Sequence, residues 1–142
     1  MFRTACSRLI ELPFLGAYVV LSVLDIGLTL AGQSADYWSG QYELAREFNL
    51  LIRWSLVVSP WLFLALTVLL SSSLVAVALQ LGRRIATVVV FMGCVGHFIG
   101  AGSWLLHIEG WGLPLVLLQL AAAWWLIERD WPRFAGNEAC ST

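Results

Sequence analysis

Four long apolar stretches constrain this chain more than any other feature of its sequence. A helix that crosses about 30 Å of hydrocarbon needs about 20 mostly apolar residues. The stretches run over about 12–32, 54–79, 85–106 and 111–127. Because 60% of the 142 residues are apolar and 12% are charged, a single soluble core could not bury so much apolar surface. The sequence therefore predicts an all-α integral membrane bundle of four transmembrane helices, one domain over residues 1–142, in a lipid bilayer.

The arginines predict which way the bundle faces. Cytoplasmic loops are enriched in basic residues, and every basic residue of this chain is an arginine. Two of them, Arg46 and Arg53, fall on one side of the predicted spans. The others fall on the opposite side: Arg3, Arg8, Arg83, Arg84, Arg129 and Arg133. We therefore expect cytoplasmic N- and C-termini in a multi-pass protein of the cell membrane, and the pattern fits a bacterial inner membrane.

The segment that joins the first two spans carries two further signals. Within the outer loop 33–53, the stretch 42–53 repeats apolar residues at helical spacing, which predicts a short helix that lies at the interface or extends the second span. Pro60 lies early in the second span. It either begins that helix, with Ser59 as the N-cap, or kinks a longer one.

Two ionisable residues, Asp25 and His97, lie inside the predicted spans. An ionisable side chain at such a position costs about 2.5–3.5 kcal/mol on insertion scales, so each needs a reason. At about 1.5 Å per helical residue, Asp25 lies roughly 10 Å, Gln119 roughly 12 Å and His97 roughly 14 Å below the outer helix ends. Helical spacing places Thr29 on the same face as Asp25. We therefore predict a buried polar cluster centred on Asp25 and His97, with Thr29 and Gln119 as hydrogen-bond partners.

The role of this cluster stays open at the level of sequence. Gly96 and Gly100 would let another helix approach closely beside His97. An Asp–His hydrogen bond could serve only to hold the helices in register. Intramembrane ionisable groups are also candidates for proton or ligand binding.

Part of the chain resembles a known family. The pattern Asp25-x-x-x-Thr29, followed by Glu47-x-Asn49 in the outer loop, resembles a family of small, uncharacterised bacterial four-span membrane proteins. In that family the loop typically reads Glu-x-Asn-Pro, and here Leu50 stands in the place of the proline. The resemblance implies a four-span bundle and no established activity. It also implies that Glu47 and Asn49 cap the polar stripe of Asp25 from above.

Several chemistries find no support in the sequence. The three cysteines, Cys6, Cys94 and Cys140, lack the spacing of a metal or redox motif. No hydrolase or metalloprotease motif occurs, so we expect no metal and no cofactor, and little supports an enzyme. The net charge of −1 gives no basic footprint for nucleic acid.

Three functions remain for comparison. The first is an accessory or assembly subunit of a larger membrane complex, because the chain offers mostly helix surface to other membrane proteins or to a second copy. The second is a small oligomeric transporter or proton-coupled carrier that uses Asp25 and His97. The third is a membrane enzyme acting at the outer face, with Glu47, His107 and Glu109 as its outer-loop residues.

Overall fold

The computed structural model describes residues 12 and 14–135, with side chains up to Arg129. The described part of the chain is all-helical and contains no strand, which confirms the predicted fold class at this level. Its helices are α1 (Leu15–Ala31), α2 (Ala35–Trp38), α3 (Leu50–Val58), α4 (Pro60–Gln80), α5 (Arg83–Leu105) and α6 (Gly112–Ala135), with a 3-10 turn at Tyr42–Leu44.

Three of these helices are long and apolar enough to cross a membrane: α4, α5 and the portion Gly112–Arg129 of α6. They coincide with three of the predicted spans, although α6 continues past the predicted end at residue 127. The remaining candidate, α1, has 17 apolar-rich residues. At about 1.5 Å per residue it covers roughly 25 Å, near the lower limit for a span.

The predicted second span consists of two helices that meet at Ser59. The Ser59 hydroxyl accepts a hydrogen bond from the backbone N–H of Trp61 at 3.1 Å, and Pro60 takes the first helical position. Proline is favoured there because its missing N–H has no helical partner anyway. Of the two alternatives for Pro60, the helix start is therefore correct, and α3 ends just before it.

The predicted continuous helix over 42–53 is wrong. Only the turn Tyr42–Leu44 and the start of α3 are helical, and 45–49 lies between them without helical structure. Asn49 begins α3 because its side-chain oxygen accepts from the N–H groups of Leu51 and Ile52. Before that cap, the Gln33 side chain bonds both backbone polar groups of the Arg46 residue, which holds the loop in a non-helical path.

Helices α1 and α5 run parallel and pack through glycines. A Cβ added to Gly93 would lie 2.7 Å from Tyr18 Cε2, and one added to Gly100 would lie 2.5 Å from Asp25 Oδ1. From the first contact to the second, each helix advances by seven residues, so α1 and α5 run in the same direction. Gly96 has nothing within 4 Å of its added Cβ. The close approach predicted for the Gly96 and Gly100 pair is thus made by Gly93 and Gly100.

The ends of the helices fall into two groups. Residues near the start of α1, the 81–82 link and Arg129 lie together, because Gly16 lies against the Arg129 side chain and Leu12 shares a small cavity with Gly82. We call this the lower end. At the upper end, Gly32 contacts Trp104. Since Gln119 of α6 bonds Phe98 of α5 in between, α6 runs antiparallel to α5.

Two buried apolar clusters lie along the bundle. The lower cluster contains Phe14, Ala17, Tyr18, Leu21, Ala78, Ala86, Val90 and Cys94, and the upper one contains Tyr37, Ala45, Leu56 and Phe63. The upper cluster is anchored by the Tyr37 hydroxyl, which donates to the Leu56 carbonyl at 3.0 Å. Burial raises the pKa of Tyr37, and neighbouring Tyr42 adds to the effect. Polar residues of α1, α4 and α5 occupy the positions between the clusters.

Candidate ligand site at the Asp25–His97 pair

Asp25 of α1 and His97 of α5 meet between the two apolar clusters. His97 Nδ1 lies 2.8 Å from Asp25 Oδ2. The Tyr18 ring packs against the imidazole in a T-shaped contact, with centroids 5.4 Å apart. The meeting depends on Gly100, one turn above His97, whose missing side chain leaves room for the Asp25 carboxylate. The structure thus brings together the two ionisable residues that the sequence placed at one depth.

The hydrogen bond sets the chemistry of the imidazole. An ionised carboxylate only accepts hydrogen bonds, so Nδ1 of a neutral His97 donates and Nε2 carries the lone pair. Nε2 can therefore take up a proton or accept a hydrogen bond from a ligand. The two side chains remain 22% and 21% exposed, so the pair is not sealed by packing.

The pair lines a cavity of about 370 Å³, which we call the polar cavity. Its polar residues are Asp25, Thr29, Thr67, His97 and Ser103 from the helices, and Glu47 and Asn49 from the loop. The four positions on which the family resemblance rests thus border one space together with His97. Thr29 is buried there at 4% exposure.

Glu47 and Asn49 are held in place by the start of α3. Glu47 Oε1 accepts from the backbone N–H of Asn49 at 2.9 Å, and Asn49 caps the helix. Leu50 then occupies the first helical position, where proline is also favoured. The cap therefore accounts for the loop pattern structurally, and the same geometry places both side chains at the wall of the polar cavity.

Gln119 does not join the pair, contrary to the prediction. Its amide Nε2 donates to the carbonyl of Phe98 at 3.1 Å, and its Oε1 is buried without a hydrogen-bond partner among the described atoms. Its position next to Gly102 shows that α6 packs on another side of α5. Depth alone therefore placed Gln119 at the correct level but could not assign its face.

Above the polar cavity lies a second space of about 590 Å³, which we call the vestibule. It contains His107, whose Nδ1 donates to the Ser103 carbonyl at 2.7 Å, together with Arg46 and Arg53. Glu109 is exposed and lines neither space. The vestibule and the polar cavity share three residues: Glu47, Ser103 and Trp104.

Sequence reasoning missed Thr67 and Ser103, which line the polar cavity, and Gln33, which bonds Thr29 at its edge. Thr67 is buried, and its hydroxyl donates to the Phe63 carbonyl within α4. It is an isolated hydroxyl in an apolar run, a weaker signal than an ionisable group. Gln33 follows α1 directly, and its side chain bonds Thr29 and Arg46 across the top of the bundle. Because Gln33 bonds a loop residue that is 13 positions away, no local sequence pattern indicates its role.

No family, curated protein or solved structure gives a significant match. The family resemblance therefore stays a prediction. Within the part of the chain that the structure describes, no three His, Cys, Asp or Glu side chains are grouped so as to hold a metal ion.

Proposed function

We propose that this chain is a four-span protein of a bacterial inner membrane with both termini in the cytoplasm. Large apolar side chains of α4 point outward, with Val68 59% and Leu69 62% exposed, and a bilayer would cover them. Helix α1 lies alongside α5, parallel to it, as the first and third spans of an alternating bundle must. Arg83, Arg84 and Arg129 lie toward the lower end, which the positive-inside rule assigns to the cytoplasm.

We further propose that the protein binds a proton or a small polar ligand at the Asp25–His97 pair from the outer side, as a small oligomeric carrier would. The observation that carries this proposal is the opening of the pair onto the polar cavity. A pair that only holds two helices in register needs no adjoining space, and closed packing would stabilise it better. Seven polar residues instead surround a volume large enough for a small solute.

The accessory-subunit hypothesis keeps one specific support. An apolar cleft of about 560 Å³ runs between α1, α5 and α6, with Leu21, Phe98, Leu117 and Trp124 in its walls. A helix of a larger complex could occupy it. The outer-face enzyme has no comparable support, because Glu109 does not line the vestibule that Glu47 and His107 border.

The carrier proposal is tested by proton flux into proteoliposomes that contain a trapped pH-sensitive dye. We expect Asp25→Asn to lower the protein-dependent flux at least about tenfold, because the amide keeps the shape but cannot stabilise a protonated His97. Glu109→Gln is the matched control, since it removes a carboxylate outside both cavities, and it should leave the flux unchanged. Equal flux in wild type and Asp25→Asn would contradict the proposal.

Proton binding itself can be read from ¹⁵N-labelled histidine, because the chain has only two histidines and His107→Gln leaves His97 alone. We expect an Nδ1-protonated tautomer, which leaves the Nε2 lone pair to take up a proton. Besides Asp25, the charged group that lines the same cavity is Glu47. An Nε2-protonated tautomer, together with stoichiometric co-purification of one larger assembly, would favour the accessory subunit.

A further inference from the structure

Two arginines of the upper end line the vestibule. Arg46 comes from the loop and Arg53 from the first turn of α3, and both line the same concave space. Neither guanidinium forms an ion pair with a described side chain. The carboxylate of Glu47 in the same wall is engaged by the backbone N–H of Asn49. With two guanidiniums against one carboxylate, the wall of the vestibule carries a net positive charge.

The backbone on both sides of this charge is held firmly. Buried Gln33 donates to the Arg46 carbonyl at 3.0 Å and accepts from the Arg46 N–H at 2.9 Å. Its amide also donates to the Thr29 carbonyl at 2.8 Å, which ties the loop to the end of α1. Arg53 N–H bonds the carbonyl of the cap residue Asn49 at 2.8 Å. Surface arginines without a binding role need no such backbone hydrogen bonds. A binding site gains affinity from them, because an ordered backbone lowers the entropic cost of binding.

We propose that the vestibule binds an anionic group, a carboxylate or a phosphate, of the ligand whose remaining part enters the polar cavity. Arginine suits this role because its planar fork can donate two parallel hydrogen bonds to either group. His107 lines the same wall, but its Nδ1 donates to the Ser103 carbonyl, so the Nε2 of a neutral imidazole only accepts and the anion is held by the two guanidiniums. The inference rests on the proposed function, since it takes the vestibule and the polar cavity as parts of one site.

The charges that line the polar cavity restrict which ligands fit the site. Glu47 borders both spaces and Asp25 lies below it, so a second anionic group would meet like charge there. The part of the ligand that enters therefore carries hydrogen-bond donors rather than another anion. A solute with an anionic end and a donor end meets this requirement, and so does a phospholipid headgroup.

The test is thermal unfolding of the full chain in maltoside micelles with two probes, inorganic phosphate and added phosphatidylglycerol. We expect at least one probe to raise the melting temperature of the wild type. The double variant Arg46→Gln and Arg53→Gln should weaken the apparent affinity at least about tenfold, and Arg46→Lys with Arg53→Lys should retain most of it. Glu43→Gln changes a loop charge outside the vestibule and serves as the control.

The outcomes separate the sources of the anion. A response to phosphate assigns the site to a solute, and a response to phosphatidylglycerol alone assigns it to a lipid headgroup. The inference is overturned if the wild type responds to neither probe, or if the glutamine variant responds equally. If the double variant fails to fold, the single Arg53→Gln is compared in its place. If Asp25→Asn leaves the proton flux unchanged, the carrier proposal is refuted. If the wild type still binds the anion in that case, the anion site is supported independently of the carrier.

Discussion

At the scale of single residues, Gly100 decides whether the candidate site exists. Asp25 reaches His97 only because the α5 backbone at Gly100 carries no side chain, and a methyl group there would overlap the carboxylate. Four residues earlier, Gly96 lies on the same helix with open space around it. The chain therefore offers a glycine that the site requires and a matched glycine that it does not.

We expect Gly100→Ala to destabilise the bundle by about 1–3 kcal/mol, because the added methyl must displace Asp25 or push α1 away. Gly96→Ala should be neutral or stabilising by up to about 1 kcal/mol, since alanine is the better helix former. Unfolding in mild detergent measures both variants, and the ¹⁵N signal of His97 reports whether the hydrogen bond to Asp25 survives. Equal stability of the two variants would show that α1 and α5 are not packed in this way.

At the scale of elements, the outer loop is organised by a few specific bonds and little regular structure. The clamp of Gln33 on Arg46 and the cap of Asn49 on α3 set the path of 45–49. That path brings Glu47 over the polar cavity and places Arg46 in the vestibule. The loop can therefore be loosened without touching the long helices.

Gln33→Ala should raise the hydrogen-exchange rate of the Arg46 amide about tenfold or more, because the N–H loses a buried partner worth about 1–3 kcal/mol. Gln41→Ala is the control, an exposed amide of the same loop. Exchange measured by mass spectrometry on peptides covering 42–49 gives the result. If Gln33→Ala and Gln41→Ala exchange alike, the clamp does not hold the loop.

At the scale of the whole molecule, the long helices form a bundle with an apolar exterior and a polar interior near its upper end. Helices α4, α5 and α6 are long enough to span a membrane, and α1 lies parallel to α5, with the two helices ending at matching levels at the upper end. A bilayer around such a bundle would put the polar cavity in the half toward the upper end. The four-span proposal then depends on α1 crossing as well.

Native cysteines test this crossing. In a variant that keeps only Cys6, with Cys94→Ala and Cys140→Ala, a membrane-impermeant thiol reagent should react only after the cells are permeabilised. Cys6 precedes α1, and our orientation places it in the cytoplasm. As a control, Glu43→Cys in a cysteine-free background should react in intact cells. Labelling of Cys6 in intact cells would refute the four-span topology.

The sequence by itself determined most of the helices and the apolar character of the long ones. Long apolar runs give helices of membrane-spanning length, Ser59 and Pro60 begin α4, and helical rise puts Asp25 and His97 at one level. Each of these depends on local composition and on regular helix geometry. The prediction of a helix over 42–53 failed because hydrogen bonds from the distant Gln33 outweigh the helical spacing of the apolar residues in this stretch.

Only the tertiary structure decided which faces meet. Gly93 and Gly100 set the rotation of α5 against α1, while Gln119 faces Phe98 instead of the pair. The arrival of Arg46, Glu47 and other loop residues above His97 depends on packing between segments far apart in the chain. Rotation of a helix about its axis and the path of a loop leave little trace in composition, because both are settled by contacts that exist only in the folded bundle.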